Sequence, residues 1–349
     1  MSATTACGDD GVSEPAPAPG FLGGVAGNRE IGVVVNSTGR AVTMFQLGQP
    51  STTISIPLGS SSAITPVGLS LRGRKAAVPL GNAASVALVN LETATVQRFF
   101  TFPSGNATGS AWANDTTVFV ANTDTDKVGR FYLNQTNAEI TATATVAPTP
   151  TAVVVTGGRV LVVSGNLANF SPIGPGVVTA INPATMAALG TVQSGGLNPT
   201  DAAVGPDGLL YVLNTGDYIT QSSVGIVNPA TMSLVATIPN MGVGAGAISI
   251  DDDGIAYVSG FFSATVVWNS KTRTFVRAAD NPVCAKAAGL CRGAFAATSS
   301  ATGKLFQVFF GSPQTGLAPY VFVFNPTTFA LTDSIAVGTG PSSLVIRTF

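Results

Sequence analysis

Asparagine closes an apolar, β-branched run at Asn90, Asn134, Asn182, Asn228, Asn269 and Asn325, at separations of 41 to 56 residues. Threonine follows three residues later at Thr93, Thr185, Thr231, Thr272 and Thr328, with Asn137 as the exception. Both side chains bond neighbouring backbone groups in tight turns, so each recurrence has a local physical cause. A turn that returns at this interval makes the chain a series of similar units, and a period of roughly 40 to 45 residues with four strands per unit is the signature of propeller blades.

One complete unit runs from Asn198 to Asn240. Asn198-Pro-Thr-Asp-Ala-Ala-Val leads into the turn Gly205-Pro-Asp-Gly208, then Leu210-Tyr-Val-Leu-Asn214, then Val224-Gly-Ile-Val-Asn228 and Ser233-Leu-Val-Ala-Thr-Ile238. Four short runs bounded by Gly, Pro, Asn or Asp read as antiparallel strands a, b, c and d. The same order is expected at Thr65–Leu71, Lys75–Leu80, Ser85–Asn90 and Thr95–Phe102, and at Thr108–Ala113, Thr117–Asn122, Val128–Asn134 and Glu139–Val146. It returns at Thr151–Thr156, Arg159–Gly165, Gly176–Asn182 and Ala187–Gln193, and, beyond the opening example, from Ala247 through Thr274–Ala278. The last full unit holds Ala294–Thr298, Lys304–Phe310, Tyr320–Asn325 and Ala330–Val337. The first unit supplies b, c and d at Arg29–Asn36, Ala41–Phe45 and Thr52–Pro57 but no a, while Gly340–Thr348 is an a strand with nothing after it. The expected fold is therefore all-β: a seven-bladed propeller of four-stranded blades over residues 28–349, closed by the C-terminal strand joining the N-terminal blade so that the two free edges pair.

Composition agrees with that reading and narrows the partners. Forty glycines and 22 prolines break a chain that is 45% hydrophobic, and no segment holds a helical period. Charged residues make up 9% and the net charge is −1. Nucleic acid and anionic lipid are excluded as expected partners, because both demand clustered Lys and Arg. Val160–Thr200 carries no charge, yet Asn166, Pro172, Pro175, Asn182 and Pro183 interrupt it, so it is no membrane span. The body is expected to be soluble.

Residues 1–27 read as a polar, Pro-rich leader with too little apolar content to fold. Thr4-Thr-Ala-Cys7 resembles the bacterial lipobox, although Leu is usual where Thr4 stands and only six residues precede the cysteine. The expectation is lipidation at Cys7, with contact to a membrane only through that anchor; the alternative is a free thiol on a disordered tail. Cys284 and Cys291 lie in one loop without a strand pattern, where a local disulfide would clamp the insertion, against the alternative of two free thiols.

Leu210-Tyr-Val-Leu-Asn214, Gly205-Pro-Asp-Gly208, and Ile181-Asn-Pro-Ala-Thr-Met beside Ile226-Val-Asn-Pro-Ala-Thr-Met resemble the YVTN-type seven-bladed propellers of bacterial and archaeal surface proteins, a group overlapping with lactonase-like propellers. The resemblance covers about residues 28 to 349. It implies a fold and an extracytoplasmic, envelope-bound or secreted setting more than a task, because blade-building motifs host many functions.

In such an architecture the b–c and d–a loops open on one face around the channel mouth. Asn36, Asn82, Asn122, Asn166 and Asn214 end strand b or start its loop, so they are candidates for a ring of amides suited to a glycan or small polar ligand; the alternative is that they cap strand ends. Asp217, Tyr218, Phe170 and Phe261 fall in the b–c loops of adjacent blades, where the rings could stack on a sugar or a protein or pack on one another. Trp112 and Trp268 lie within strands and read as core. Asp124 and Asp126 alternate in another b–c loop, a partial oxygen set for Ca²⁺ that lacks the glycine and final glutamate of an EF-hand. Asp251-Asp-Asp-Gly254 matches Gly205-Pro-Asp-Gly208 and reads as an a–b turn.

No histidine occurs anywhere, which removes Ser-His-Asp and Cys-His nucleophiles and histidine-bound metals. No acidic pair is placed well enough to name catalytic residues. The reading favoured is a non-catalytic propeller that needs no cofactor and binds a protein or glycan partner at the cell surface through its loop face. The alternatives are a lactonase-like hydrolase using bound Ca²⁺ and acidic loop residues, and a structural protein of the envelope.

Overall fold

A computed structural model describes residues 22, 29–260, 263–287, 290–291, 296–311 and 316–349, with the backbone alone at 49–52, 286–287, 290–291 and 296. Seven four-stranded antiparallel sheets follow one another around a ring, each ordered a-b-c-d from the axis outward. The protein is a seven-bladed β-propeller. In the fifth blade the strands are Pro199–Val204, Leu210–Asn214, Ser223–Asn228 and Ser233–Ile238. Burial falls into bands that match the layers. Strand a is half-buried along the channel, strands b and c are buried almost throughout, and strand d alternates or is exposed at the rim.

Strands b and c are apolar at both parities because each blade has a neighbour on both faces. In the first blade, Ile31, Val33 and Val35 pack with Ala76, Val78 and Val89 of the second, while Val34 and Phe45 pack with Phe306, Val308 and Val321 of the seventh. Gly32 leaves room for Phe45: a Cβ there would come within 2.1 Å of that ring. Among the described residues there are seven such apolar clusters, one between each pair of adjacent blades, so the ring is closed by packing as well as by hydrogen bonds.

Closure is made by Pro341–Thr348, which pairs antiparallel with Glu30–Asn36 from Glu30↔Thr348 to Asn36↔Pro341. Reciprocal bonds between the backbones of Arg29 and Phe349 extend the ladder by one more residue. Arginines fasten successive blades at the rim. Arg98, Arg130 and Arg159 each donate to backbone carbonyls in the c–d turn of the next blade, at Gln135 and Thr136, Pro183 and Ala184, and Pro229.

The recurrent turn is built as expected. Asn90, Asn182, Asn228, Asn269 and Asn325 each accept through Oδ1 from the backbone N–H groups two and three residues on, at 2.9 to 3.2 Å. The fourth residue after each takes a positive φ, at Ala94, Met186, Met232, Arg273 and Phe329. The third blade differs: Asn134 makes no side-chain bond among the described residues, and Gln135 ties the turn instead by accepting from Tyr132 N. The second blade's strand a is shorter than expected, Ser70–Arg72 in place of Thr65–Leu71, because Pro66 has no N–H to give the ladder and Gly68 adds no side chain to hold it. Trp268 is core, edge-on to Tyr211 at 5.9 Å. Trp112 is only half-buried and donates its indole N–H to Ser70 O of the preceding blade.

The a–b turns at Gly205–Gly208 and Asp251–Gly254 are equivalent, each closed by the N–H of its last residue on the carbonyl of its first. Asp207 and Asp251 accept from the hydroxyls of Tyr211 and Tyr257. Burial, together with the bond and charge of Asp207, raises the Tyr211 phenol to about 12, and burial and Asp251 raise that of Tyr257 as well. No helix among the described residues is long and apolar enough to cross a membrane.

Candidate functional site

In four of the blades strand a opens with a bulge at the channel mouth. The ladder slips by one residue between Pro150 and Ala152, between Pro199 and Asp201, within Ala107–Ser110 and where Asn36 meets Pro341. A bulge turns the strand and presents consecutive residues to the axis. On the propeller axis lies a cavity of about 590 Å³, walled by residues at or just before the start of strand a in all seven blades and open toward the b–c and d–a loops through Ser37, Thr215, Tyr218 and Phe310. That size is in the range of small-molecule sites.

The wall is made of small side chains, and most of its hydroxyl protons are already used. Thr151 donates to Pro199 O of the next blade at 3.1 Å. Thr108 and Thr123 share Pro150 O, and Thr200 bonds Thr215, which in turn donates to Ala245 O at 2.7 Å. Ser110 reaches Ala77 O, and Ser249 reaches Ala297 O at 2.7 Å. These bonds lace the second through the seventh blades together and leave oxygen lone pairs facing the cavity.

Among the described residues, one charged residue lines this cavity, Asp201. Its Oδ1 accepts from Ala202 N and its Oδ2 from Ile248 N of the sixth blade, both at 2.9 Å. The residue keeps some solvent contact through the channel, but its carboxyl group is surrounded by protein atoms. That desolvation outweighs the two N–H donors, and the carboxyl is raised to about 6.

Around the mouth, two tips project from adjacent blades. In the fourth, a two-residue hairpin between Leu167–Ala168 and Ser171–Pro172 places Asn169 and Phe170 at φ 48° and 63° and leaves Phe170 97% exposed. A left-handed bulky residue is strained, and such strain collects at functional sites. In the fifth, Asp217 Oδ1 accepts from Ile219 N, Thr220 N and the Thr220 hydroxyl, fixing a turn in which Tyr218 also has φ 63° and Ile219 is 82% exposed. Those donors, Thr220 N first, hold the exposed Asp217 carboxyl down at about 2. Asp217 therefore shapes the tip that carries Tyr218.

Three of the five amides read from sequence are buried away from the cavity. Asn36, Asn122 and Asn214 are buried at the ends of strand b, and none lines the cavity. Asn122 accepts from Asn106 N and donates to Ser104 O, Asn214 bonds Ser194 through both side-chain atoms, and Asn36 donates to Thr43. Each packs on a glycine of its own d–a loop, Gly338, Gly105 or Gly196, where a Cβ would come within 2.1 to 2.8 Å of the amide. Asn82 is exposed and accepts from Asn106 Nδ2, and Asn166 donates to Pro175 O. The asparagines thus lock the d–a loops onto strand b. Asp126 accepts from Thr149 N and Asp124 is exposed beside it, and no group of three or more metal-binding side chains occurs among the described residues. Phe261 and Cys7 lie outside the described residues, as does the Cys291 side chain, although the backbone pairs Lys286 with Cys291 in a short ribbon.

Asp201 was missed from sequence. The available signal was positional: the residue two after the strand-opening Pro199 is acidic, where the matching positions hold Gly68, Gly109, Ala152, Ala247 and Ser343.

No protein-family model matches the chain, and no curated protein matches it. Solved structures do. A hydrazine synthase structure from Kuenenia stuttgartiensis superposes with a TM-score of 0.65 at 12% identity over 83% of this chain and 97% of that one. A crystal structure of a protein from Lactobacillus plantarum gives 0.68 at 12% identity over 93% of this chain and 100% of that one. At this identity the likeness is one of fold.

Proposed function

We propose that this propeller is an exported, envelope-tethered binding protein that takes a glycan on the face formed by its b–c loops, without converting it. The observation that carries the reading is the pair of tips on adjacent blades, where Phe170 and Tyr218 are held out to solvent on strained, internally bonded turns. An exposed ring gives up little conformational freedom on binding when its backbone is already fixed, and a flat ring stacks on the apolar face of a sugar. The low charge of the chain, 9% charged residues with a net charge of −1, suits a neutral polyol better than a charged polymer. The Pro-rich leader with Cys7 and the YVTN-type phrases support the extracytoplasmic setting.

The test is binding of residues 29–349 to an immobilised glycan panel, with Phe170→Ala and Tyr218→Ala as comparators. Each variant is expected to weaken the best glycan by about tenfold while leaving the thermal midpoint unchanged, as for loss of a single stacked ring. Equal binding by wild type and both variants, or binding by no glycan on the panel, would defeat the reading. Lipidation is tested separately by metabolic labelling with a clickable fatty acid, expected in the wild type and absent in Cys7→Ser.

A further inference from the structure

The axial cavity has an electrostatic character that the loop-face reading does not use. Among its described lining residues there is no Lys or Arg, one carboxylate, Asp201, and one other titratable side chain, Tyr218. Thr108, Thr151, Thr200, Ser110 and Ser249 turn their protons into the wall, so over four consecutive blades the cavity offers lone pairs far more than donors. The Asp201 carboxylate has two N–H partners for roughly four lone-pair sites, which leaves acceptor capacity on both oxygens. One position further along the chain from Gly68, Ala152, Ala247 and Ser343, the lining turns apolar at Leu69, Val153, Ile248 and Leu344.

We propose that the cavity binds a small primary ammonium ligand, with the cationic head on Asp201 and the hydroxyl oxygens beside it, and a short apolar tail toward Leu69, Val153, Ile248 and Leu344. An ammonium group has three donors and no acceptor, which is the complement of this wall. An anion would meet the carboxylate with no cation to offset it, and a neutral ligand would leave the carboxylate desolvated without a counter-charge. The raised titration of Asp201 accords with a buried acid that lacks its partner. Arrival of an ammonium would favour the ionised form and pull that value back down. This inference concerns the channel wall and shares only Tyr218, at the cavity's opening, with the tips on the loop face.

The experiment uses three probes of matched shape and different charge, n-butylammonium, n-butanol and butyrate. Each is titrated into the ¹⁵N-labelled protein at pH 7.5 while the amide shifts of Ala202 and Ile248, the donors to Asp201, are followed. Butylammonium is expected to saturate those shifts at about tenfold lower concentration than n-butanol, in line with one charge-assisted hydrogen bond, and butyrate to leave them unmoved. The preference is expected to vanish in Asp201→Asn and, in the wild type, at pH 4.5, where the acid is protonated. Should Asp201→Asn fail to fold, the wild-type comparison between the two pH values decides. Equal affinity for butylammonium and n-butanol at pH 7.5, a preference that survives both the substitution and the low pH, or no response to any probe would overturn the proposal.

Discussion

Asp201 sits where small residues stand in neighbouring blades, and its ionisation has a measurable consequence for stability even with the cavity empty. Its carboxyl is raised from 3.8 to about 6 in the folded chain by desolvation, so between those values the native state holds a proton that the unfolded state has released. Stability therefore declines as pH rises through that window, and the contribution is fully spent above it. The shift corresponds to at most about 3 kcal/mol for this group. Urea denaturation of wild type and Asp201→Asn at pH 4 and pH 7 isolates it: the wild type is expected to lose more stability than the variant between the two, and parallel losses would show that the buried carboxyl is not the cause. Asp217 works in the opposite sense. Held down by three donors, it supports its turn above the ordinary carboxyl value and releases it only as pH falls toward 2. The Tyr218 tip should therefore keep its form across the range in which Asp201 titrates.

The turn between strands c and d is the element the sequence displays most openly, and its energetics can be predicted blade by blade. Asn228 accepts two backbone N–H bonds and closes the turn before the left-handed Met232, so Asn228→Ala should cost about 1 kcal/mol. Asn134→Ala should cost close to nothing, because Gln135 has taken over the work in that blade. Chemical denaturation of the two variants distinguishes a bonding role from mere recurrence of a residue type. Strand order and blade number were legible because they rest on such local signals: apolar runs of five or six residues, Asx turns, and Gly or Pro at the breaks. The site was not legible for the opposite reason. Asp201 acquires its role from Ile248, 47 residues away in the next blade, and Thr151 donates across a gap of 48. The strand-b asparagines looked like a polar ring because sequence shows that they end strands but not that a glycine loop folds over them, as Gly196 does over Asn214. The insertion before the seventh blade is a further element with its own test. Cys284 is followed by a short ribbon that pairs Lys286 with Cys291, which brings the two cysteines' backbones near each other. Alkylation under denaturing conditions followed by intact mass is expected to block neither Cys284 nor Cys291 until a reductant is added.

At the scale of the molecule, the ring depends on a sheet assembled from both ends of the folded chain. The N-terminal blade brings strands b, c and d, and Pro341–Thr348 supplies the innermost strand while also adding Leu344 to the apolar cluster shared with the seventh blade. Removing that strand exposes the edge of Glu30–Asn36 and one side of the cluster together, so a chain ending at Gly340 should aggregate rather than unfold cooperatively. Deletion alone does not separate the need for the strand from the need for its position at the end of the chain. The geometry allows that separation. The strand runs antiparallel to strand b, and the backbones of Phe349 and Arg29 bond each other, so the end of one strand lies beside the start of the other. In the other blades a tight a–b turn spans this same place, as Gly157-Gly158 does in the fourth with both residues at positive φ. A circular permutant that joins Phe349 to Arg29 through Asn-Gly and opens the chain between Gly157 and Gly158 keeps every strand while moving the closure from the first blade to the fourth. Asn-Gly suits the two-residue turn this junction requires, and the new opening lies in an exposed one. The permutant is expected to unfold in a single cooperative transition within a few degrees of residues 29–349. A permutant that fails while that parent folds would mean that closure at the first blade carries something beyond strand pairing, and the equivalence of the seven blades would have to be given up.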